Sequence, residues 1–154
     1  EDRILVNRIY LHMVLHGIFR HMLRRQGREE RLYNLSCDIA VESIIDGMNY
    51  RCVLRSRSYI RRQMYADLKR QMKVLTAEKI YQFLDTQGLE EAELERLERD
   101  FCVDSHQYWP EDDKKKRQEI ENQWQGISEQ METDMETFSK EASSESGSLV
   151  DQPF

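Results

Sequence analysis

A mainly α-helical fold is what this chain of 154 residues predicts, and three observations predict it. Apolar residues recur at three- and four-residue spacings over most of the length, Gly and cap-forming residues punctuate those stretches, and no clear two-residue alternation marks a strand. Residues 51–57 are the one short strand candidate. A hydrophobic content of 39% against 34% charged residues fits a small core under a heavily solvated surface.

The elements follow in order. Residues 3–25 predict one amphipathic helix whose apolar arc runs through Ile4, Leu5, Ile9, Leu11, Leu15 and Ile18, with Gly27 as its stop. His12 and His16 fall inside that arc, Arg8 projects from its middle, and His21 falls on the polar side. Residues 35–48 predict a second helix, opened by Asn34 or Ser36 and closed at Gly47, with Asp38 and Glu42 one turn apart at the border of its apolar face. A third is expected over 58–74, where Ile60, Met64, Leu68 and Met72 are four apart. A fourth runs from Thr76 as cap to Gln87 before Gly88, and a fifth, highly charged, covers 90–100. Residues 101–110 break the pattern with Asp104-Ser105-His106-Gln107-Tyr108-Trp109. Residues 111–140 read as a long charged helix with a narrow stripe of Ile120, Trp124, Ile127, Met131, Met135 and Phe138, a helix that needs a partner. Residues 141–154, rich in Ser and Glu, read as a flexible linker or tail.

No apolar run approaches the roughly 20 residues that span a bilayer, and no secretory signal is readable. Three widely spaced cysteines, Cys37, Cys52 and Cys102, argue against a disulfide framework or a paired-thiol zinc knuckle, so a cytoplasmic setting is expected. Beginning at Glu1 rather than Met, the chain is expected to be part of something longer. The net charge of -6 hides an asymmetry: residues 1–75 have 15 Lys or Arg against 8 Asp or Glu, and residues 76–154 have 8 against 21. The basic half suggests either a polyanion-binding face or a face balanced by the acidic half. The cluster Arg55, Arg57, Arg61, Arg62, Lys69 and Arg70 has no nucleic-acid motif beside it, which favours a solvated helix face over nucleic acid.

The chemistry sits in His12-Met13-Val14-Leu15-His16. Positions four apart on a helix lie about 40° apart around the axis, so two imidazoles can converge on one ion. In the hydrolytic form, H-E-x-x-H, the Glu after the first His is the general base. Here that residue is Met13, whose thioether cannot take the proton. Asp38 and Glu42 could face the two histidines if the first two helices pack antiparallel, and His106 adds a donor from a polar-aromatic loop.

Three stretches, residues 12–21, residues 33–42 and residues 104–109, together resemble a family of bacterial proteins with an N-terminal metallopeptidase-type domain and a C-terminal von Willebrand factor A-like domain. They are similar to its H-E-x-x-H helix, its N-x-A-x-D-x-x-x-N helix and its D-x-H-x-x-W loop. The resemblance covers roughly residues 4–110. It implies a zincin-like helical domain over residues 1–110, with the strands of that architecture upstream of Glu1. It further implies zinc held by His12, His16 and Asp38, with His106 as a further ligand or a substrate-side group. Glu42 and Arg8 would then support the ligands, and Glu42 is the one candidate to substitute as base. Met13, Ser36 and Glu42 depart from the family pattern. The expectation is a zinc-binding, catalytically impaired domain, a pseudoenzyme with a binding or regulatory role. Protein partners are expected, an AAA+ ATPase among them by family analogy. A metal-free helical interaction module and an active hydrolase using Glu42 are the alternatives.

Overall fold

The computed structural model describes residues 2–110 and 113–148, and the backbone there is mainly helical, with no strand among the described residues. Its helices are α1 (Asp2–Ile18), α2 (Glu30–Gly47), α3 (Tyr59–Gln71), α4 (Ala77–Gln87), α5 (Glu91–Phe101) and α6 (Lys114–Ser148), with a 3₁₀ turn at His21–Leu23. They divide into two units, residues 1–112 and residues 113–154. No helix among the described residues is long and apolar enough to cross a membrane.

In the first unit α2 is the central element. Tyr33, Leu35, Cys37, Ile39 and Ala40 are buried with Ile80 and Leu84 of α4, Leu68 of α3 and Phe101 of α5 in one apolar core. Local signals set the ends of these helices. The Thr76 side chain accepts from Lys79 N–H, Ser58 accepts from Arg61 N–H, and Glu90 and Glu93 close a reciprocal capping box. Gly88 ends α4 at φ 62, a left-handed conformation that suits glycine.

Several boundaries differ from the sequence expectation. The first helix stops at Ile18 rather than near residue 25, because Arg20 turns left-handed at φ 55 and the chain folds back through His21–Leu23. α2 begins at Glu30, its first N–H groups accepted by the Glu29 carboxylate, so Asn34 and Ser36 lie inside the helix. α3 covers Tyr59–Gln71, and residues 51–57 form no strand. α6 continues through Ser148, past residue 141 where the tail was expected, and Ser143 Oγ donates back to the Ser139 carbonyl at 2.8 Å. Residues 149–154 of that expected tail lie outside the described residues.

The face of α1 that packs inward is the expected arc, but its buried centre is polar: Arg8, His12 and His16 are buried, Ile4, Ile9, Leu11 and Leu15 around them are half-buried, and Leu5 and Ile18 are exposed, as are Val6, Tyr10 and Met13 outside the arc. The reason lies on α2. Asp38, Glu42 and Asp46 recur every fourth residue and form one acidic stripe, and the antiparallel α1 presents Arg8, His12 and His16 at the same repeat. Ion pairing and hydrogen bonding across the two stripes decide the docking, because those carboxylates are buried and burial without partners costs several kcal/mol, typically about 3–5 when one member of a buried pair is missing. The Arg-rich segment also departs from a solvated face. Arg61 lies inward on Glu42 and Asp46, and Arg57 donates to the Asp46 carbonyl.

Candidate metal centre

The antiparallel ladder brings the sequence-selected residues together one rung at a time. Arg8 Nη2 contacts Asp46 Oδ1 at 2.5 Å and Glu42 Oε2 at 3.0 Å, and its Nη1 donates to the Val53 carbonyl. Arg8 therefore spends its donors below the centre and does not compete for Asp38. On the next rung His12 Nδ1 donates to Glu42 Oε1 at 2.8 Å. That hydrogen bond keeps a proton on Nδ1 and turns His12 Nε2 to the other side of the ring, the nitrogen an ion would take on loss of its proton. Glu42 Oε2 also accepts from Arg61 Nη1, so both carboxylate oxygens are engaged in holding other side chains. Such a group orients an imidazole; it is not placed as a base.

Above it, His12 Nε2, His16 Nε2, His106 Nε2, Asp38 Oδ1 and Asp104 Oδ1 converge. His12 and His16 Nε2 are 2.8 Å apart, and each is 3.1 Å from Asp38 Oδ1. His106 Nε2 is 2.9 Å from Asp38 Oδ1, 2.7 Å from Asp104 Oδ1 and 3.3 Å from His16 Nε2. One ligand atom from each of the five residues lies within 4.8 Å of all the others. Donors about 2.0–2.1 Å from a shared tetrahedral centre are about 3.3 Å from one another, so this spacing is that of a coordination shell.

Two further observations test the fit. Asp104 Oδ1 and Asp38 Oδ2 are buried without a hydrogen-bond partner, although Asp104 Oδ1 is so near His106 Nε2. Atoms that approach closely without hydrogen-bonding angles point at a common centre rather than at one another. Secondly, His16 Nδ1 lies 2.9 Å from His21 Nδ1. Burial, then the field of His16, push His21 down to about 3, so it is neutral, and its contact with His16 Nδ1 turns His16 Nε2 toward the centre. The cluster is able to hold a metal ion.

Electrostatics in the metal-free cluster follow from the same contacts. Burial lowers His12, but the carboxylates of Asp104, Asp38 and Glu42 outweigh it and raise the group to about 11. Burial likewise opposes His106, and Asp104 and Asp38 raise it to about 9. His16 is lowered, by burial first and by the neighbouring imidazoles, against the pull of Asp38. Burial would raise Asp38 and Asp104, yet the surrounding imidazoles hold both well below the usual carboxylate range. Two imidazolium charges thus balance two carboxylates.

The loop that delivers the last donors is built for position. His106 adopts φ 50, Trp109 N–H closes a turn onto the His106 carbonyl, and the Trp109 ring stacks on the His106 imidazole with centroids 4.0 Å apart. A non-glycine residue in that region costs of order 1–3 kcal/mol and persists where its surroundings hold it.

A family model described as "Putative metallopeptidase domain" matches residues 5–151. The chain belongs to that family. Neither the curated proteins nor the solved structures give a match. For a member of the metallopeptidase-domain family, two features of this chain stand out. Met13, at the position after the first histidine, is 57% exposed and carries no proton acceptor. And the family match runs through α6, well beyond the three stretches that carry the resemblance.

His12, His16, Asp38 and His106 are therefore placed together, with Glu42 and Arg8 behind them. Sequence reading missed Asp104 as a donor, and it assigned His21 to the opposite, polar side. Asp104 had a signal in its position two residues before His106 on an irregular loop. His21 had none, because a helical periodicity places it only along a helix, and that helix ends at Ile18.

Proposed function

We propose that this domain holds a zinc ion through His12, His16, Asp38 and His106, with Asp104 beside them, and that it has lost ordinary peptide hydrolysis in favour of a binding or regulatory role. The observation that carries the reading is the convergence of three imidazole Nε2 atoms with two carboxylate oxygens. Imidazole-rich sets of mixed N and O donors suit zinc better than magnesium or calcium. Charge supports it too: a divalent ion in exchange for the protons on His12 and His106 leaves the buried charge unchanged. A bound ion supplies Lewis acidity.

The chain's own residues do the rest. Glu42 holds the His12 proton on Nδ1, and His21 Nδ1 engages His16 Nδ1, so both imidazoles turn Nε2 inward. Met13 offers no base, and loss of general-base catalysis typically costs about 10²–10⁴-fold. A metallopeptidase-type frame with a closed donor set and no base reads as a recognition or maturation module. By the family's analogy, a von Willebrand factor A-like region of the same protein and an AAA+ ATPase are its natural partners. The cytoplasm, where thiols such as Cys37, Cys52 and Cys102 stay reduced, is its proposed location.

Metal analysis of protein purified without chelator tests this. We expect about one equivalent of zinc in the wild type and a loss of most of it in His16→Ala; less than about a tenth of an equivalent in the wild type would end the zinc reading. Peptide hydrolysis by zinc-loaded wild type equal to that of Met13→Glu would end the claim of impaired catalysis.

A further inference from the structure

α6 carries its charges against its own dipole. The first turn is basic, with Lys114, Lys115, Lys116 and Arg117, and it contains no acidic residue; the last turn contains no basic one. Between residues 118 and 148 the sequence has eight Asp or Glu and a single Lys. A helix N-terminus favours anions and a C-terminus favours cations, so this distribution opposes the lone helix. Asp113 relieves it only locally, by accepting from Lys115 N–H at 2.8 Å.

The helix also carries an apolar stripe. Ile127, Met131, Met135 and Phe138 are exposed. From Ile120 to Phe138 the apolar residues step by four, three, four, four and three, the spacing of a coiled-coil seam, over about 27 Å of helix axis.

From these two features we infer that α6 pairs with α6 of a second copy of this chain, antiparallel, with the two-fold axis near Glu129. This stands on α6 alone and does not depend on the metal reading. In that register the stripe is complementary to itself: Ile120 meets Phe138, Trp124 meets Met135, and Ile127 meets Met131. The charges fall into place with it. The basic turn at 114–117 lies opposite the segment around Glu141, and Lys140 lies opposite Glu119. The acidic stretch with Glu132, Asp134 and Glu136 lies opposite residues 122–128, which carry no charge at all. A parallel pair would instead set 114–117 on 114–117 and acid on acid along the length. Like charges placed together disfavour that arrangement.

Sedimentation equilibrium on the full chain at about 100 μM and low salt tests it. We expect twice the monomer mass of 18.6 kDa, and a monomer under those conditions overturns the inference. Ile127→Glu with Met131→Glu should give a monomer of unchanged helical circular dichroism; a persistent dimer overturns the α6 seam. K114E/K115E/K116E/R117E should weaken association at least tenfold, and equal association overturns the charge argument. Orientation is read by disulfide formation in a background of Cys52→Ser and Cys102→Ser, which removes the exposed thiols. An equal mixture of Ile120→Cys and Phe138→Cys chains should cross-link, whereas efficient self-cross-linking of Ile120→Cys alone would mean a parallel pair and overturn the inference.

Discussion

Replacing Glu42 by Gln should lower both stability and metal affinity, and the structure says why the two losses arise from one atom group. Glu42 Oε1 accepts from His12 Nδ1 at 2.8 Å, and Oε2 accepts from Arg8 at 3.0 Å and from Arg61. Every partner is a donor, so the amide of Gln must turn its NH₂ group toward either the imidazole or the guanidinium groups. The buried balance of Arg8 and Arg61 against Glu42 and Asp46 becomes one positive charge in excess. Breaking a buried pair in this way typically costs about 3–5 kcal/mol, a large part of the roughly 5–15 kcal/mol of a typical domain. Losing the carboxylate behind a ligating imidazole typically weakens metal binding by about 10–100-fold, which is about 1.4–2.7 kcal/mol. The assay has two arms. Urea unfolding in excess chelator reports stability, and competition with a chromophoric chelator reports zinc affinity. Asp46→Asn is the control, because Asp46 touches Arg8, Arg61 and the Tyr65 hydroxyl but none of the converging donors. It should lower the unfolding midpoint and leave zinc affinity within about threefold. If Glu42→Gln keeps its midpoint and binds zinc within twofold of wild type, the reasoning fails. If Asp46→Asn loses as much zinc affinity as Glu42→Gln, the ladder is acting as one structural unit and the separate role of Glu42 is refuted.

Loading the centre should release protons. His12 and His106 are raised to about 11 and about 9 in the metal-free protein, so both are protonated at neutral pH and must give up those protons to an entering ion. Affinity therefore falls as pH falls, with about two protons released per zinc near pH 7.5; release of fewer than one in a weakly buffered titration would contradict the assignment. Gly88→Ala should destabilise by about 1–2 kcal/mol through the left-handed backbone alone, because a Cβ there meets nothing within 4 Å. Thermal unfolding should show a midpoint lowered by a few degrees, and an unchanged or raised midpoint would refute it.

Much of this protein was legible in its sequence, and where reading stopped has a physical cause. Helix α4 is local chemistry from end to end: Thr76 caps it, apolar residues recur within it, and Gly88 takes the left-handed turn that ends it. The i, i+4 spacing of His12 and His16 is likewise a property of one helix, and the absent carboxylate at Met13 is read directly. Periodicity marks the face of α1 that is buried, with His12 and His16 inside it. What satisfies Arg8, His12 and His16 there depends on the acidic stripe of α2, which no window along α1 contains. His21 and Asp104 make the same point. His21 reaches His16 only because Arg20 turns left-handed and ends the helix. Asp104 and His106 meet His12 and His16 across about ninety residues of chain, a separation that no local pattern spans. His12, His16 and Asp38 were written in the sequence by residue type and helical spacing, since those need only a few neighbouring peptides. The convergence of the donors and the engagement of Glu42 were decided by tertiary structure, since burial and charge pairing are settled between elements, not within them.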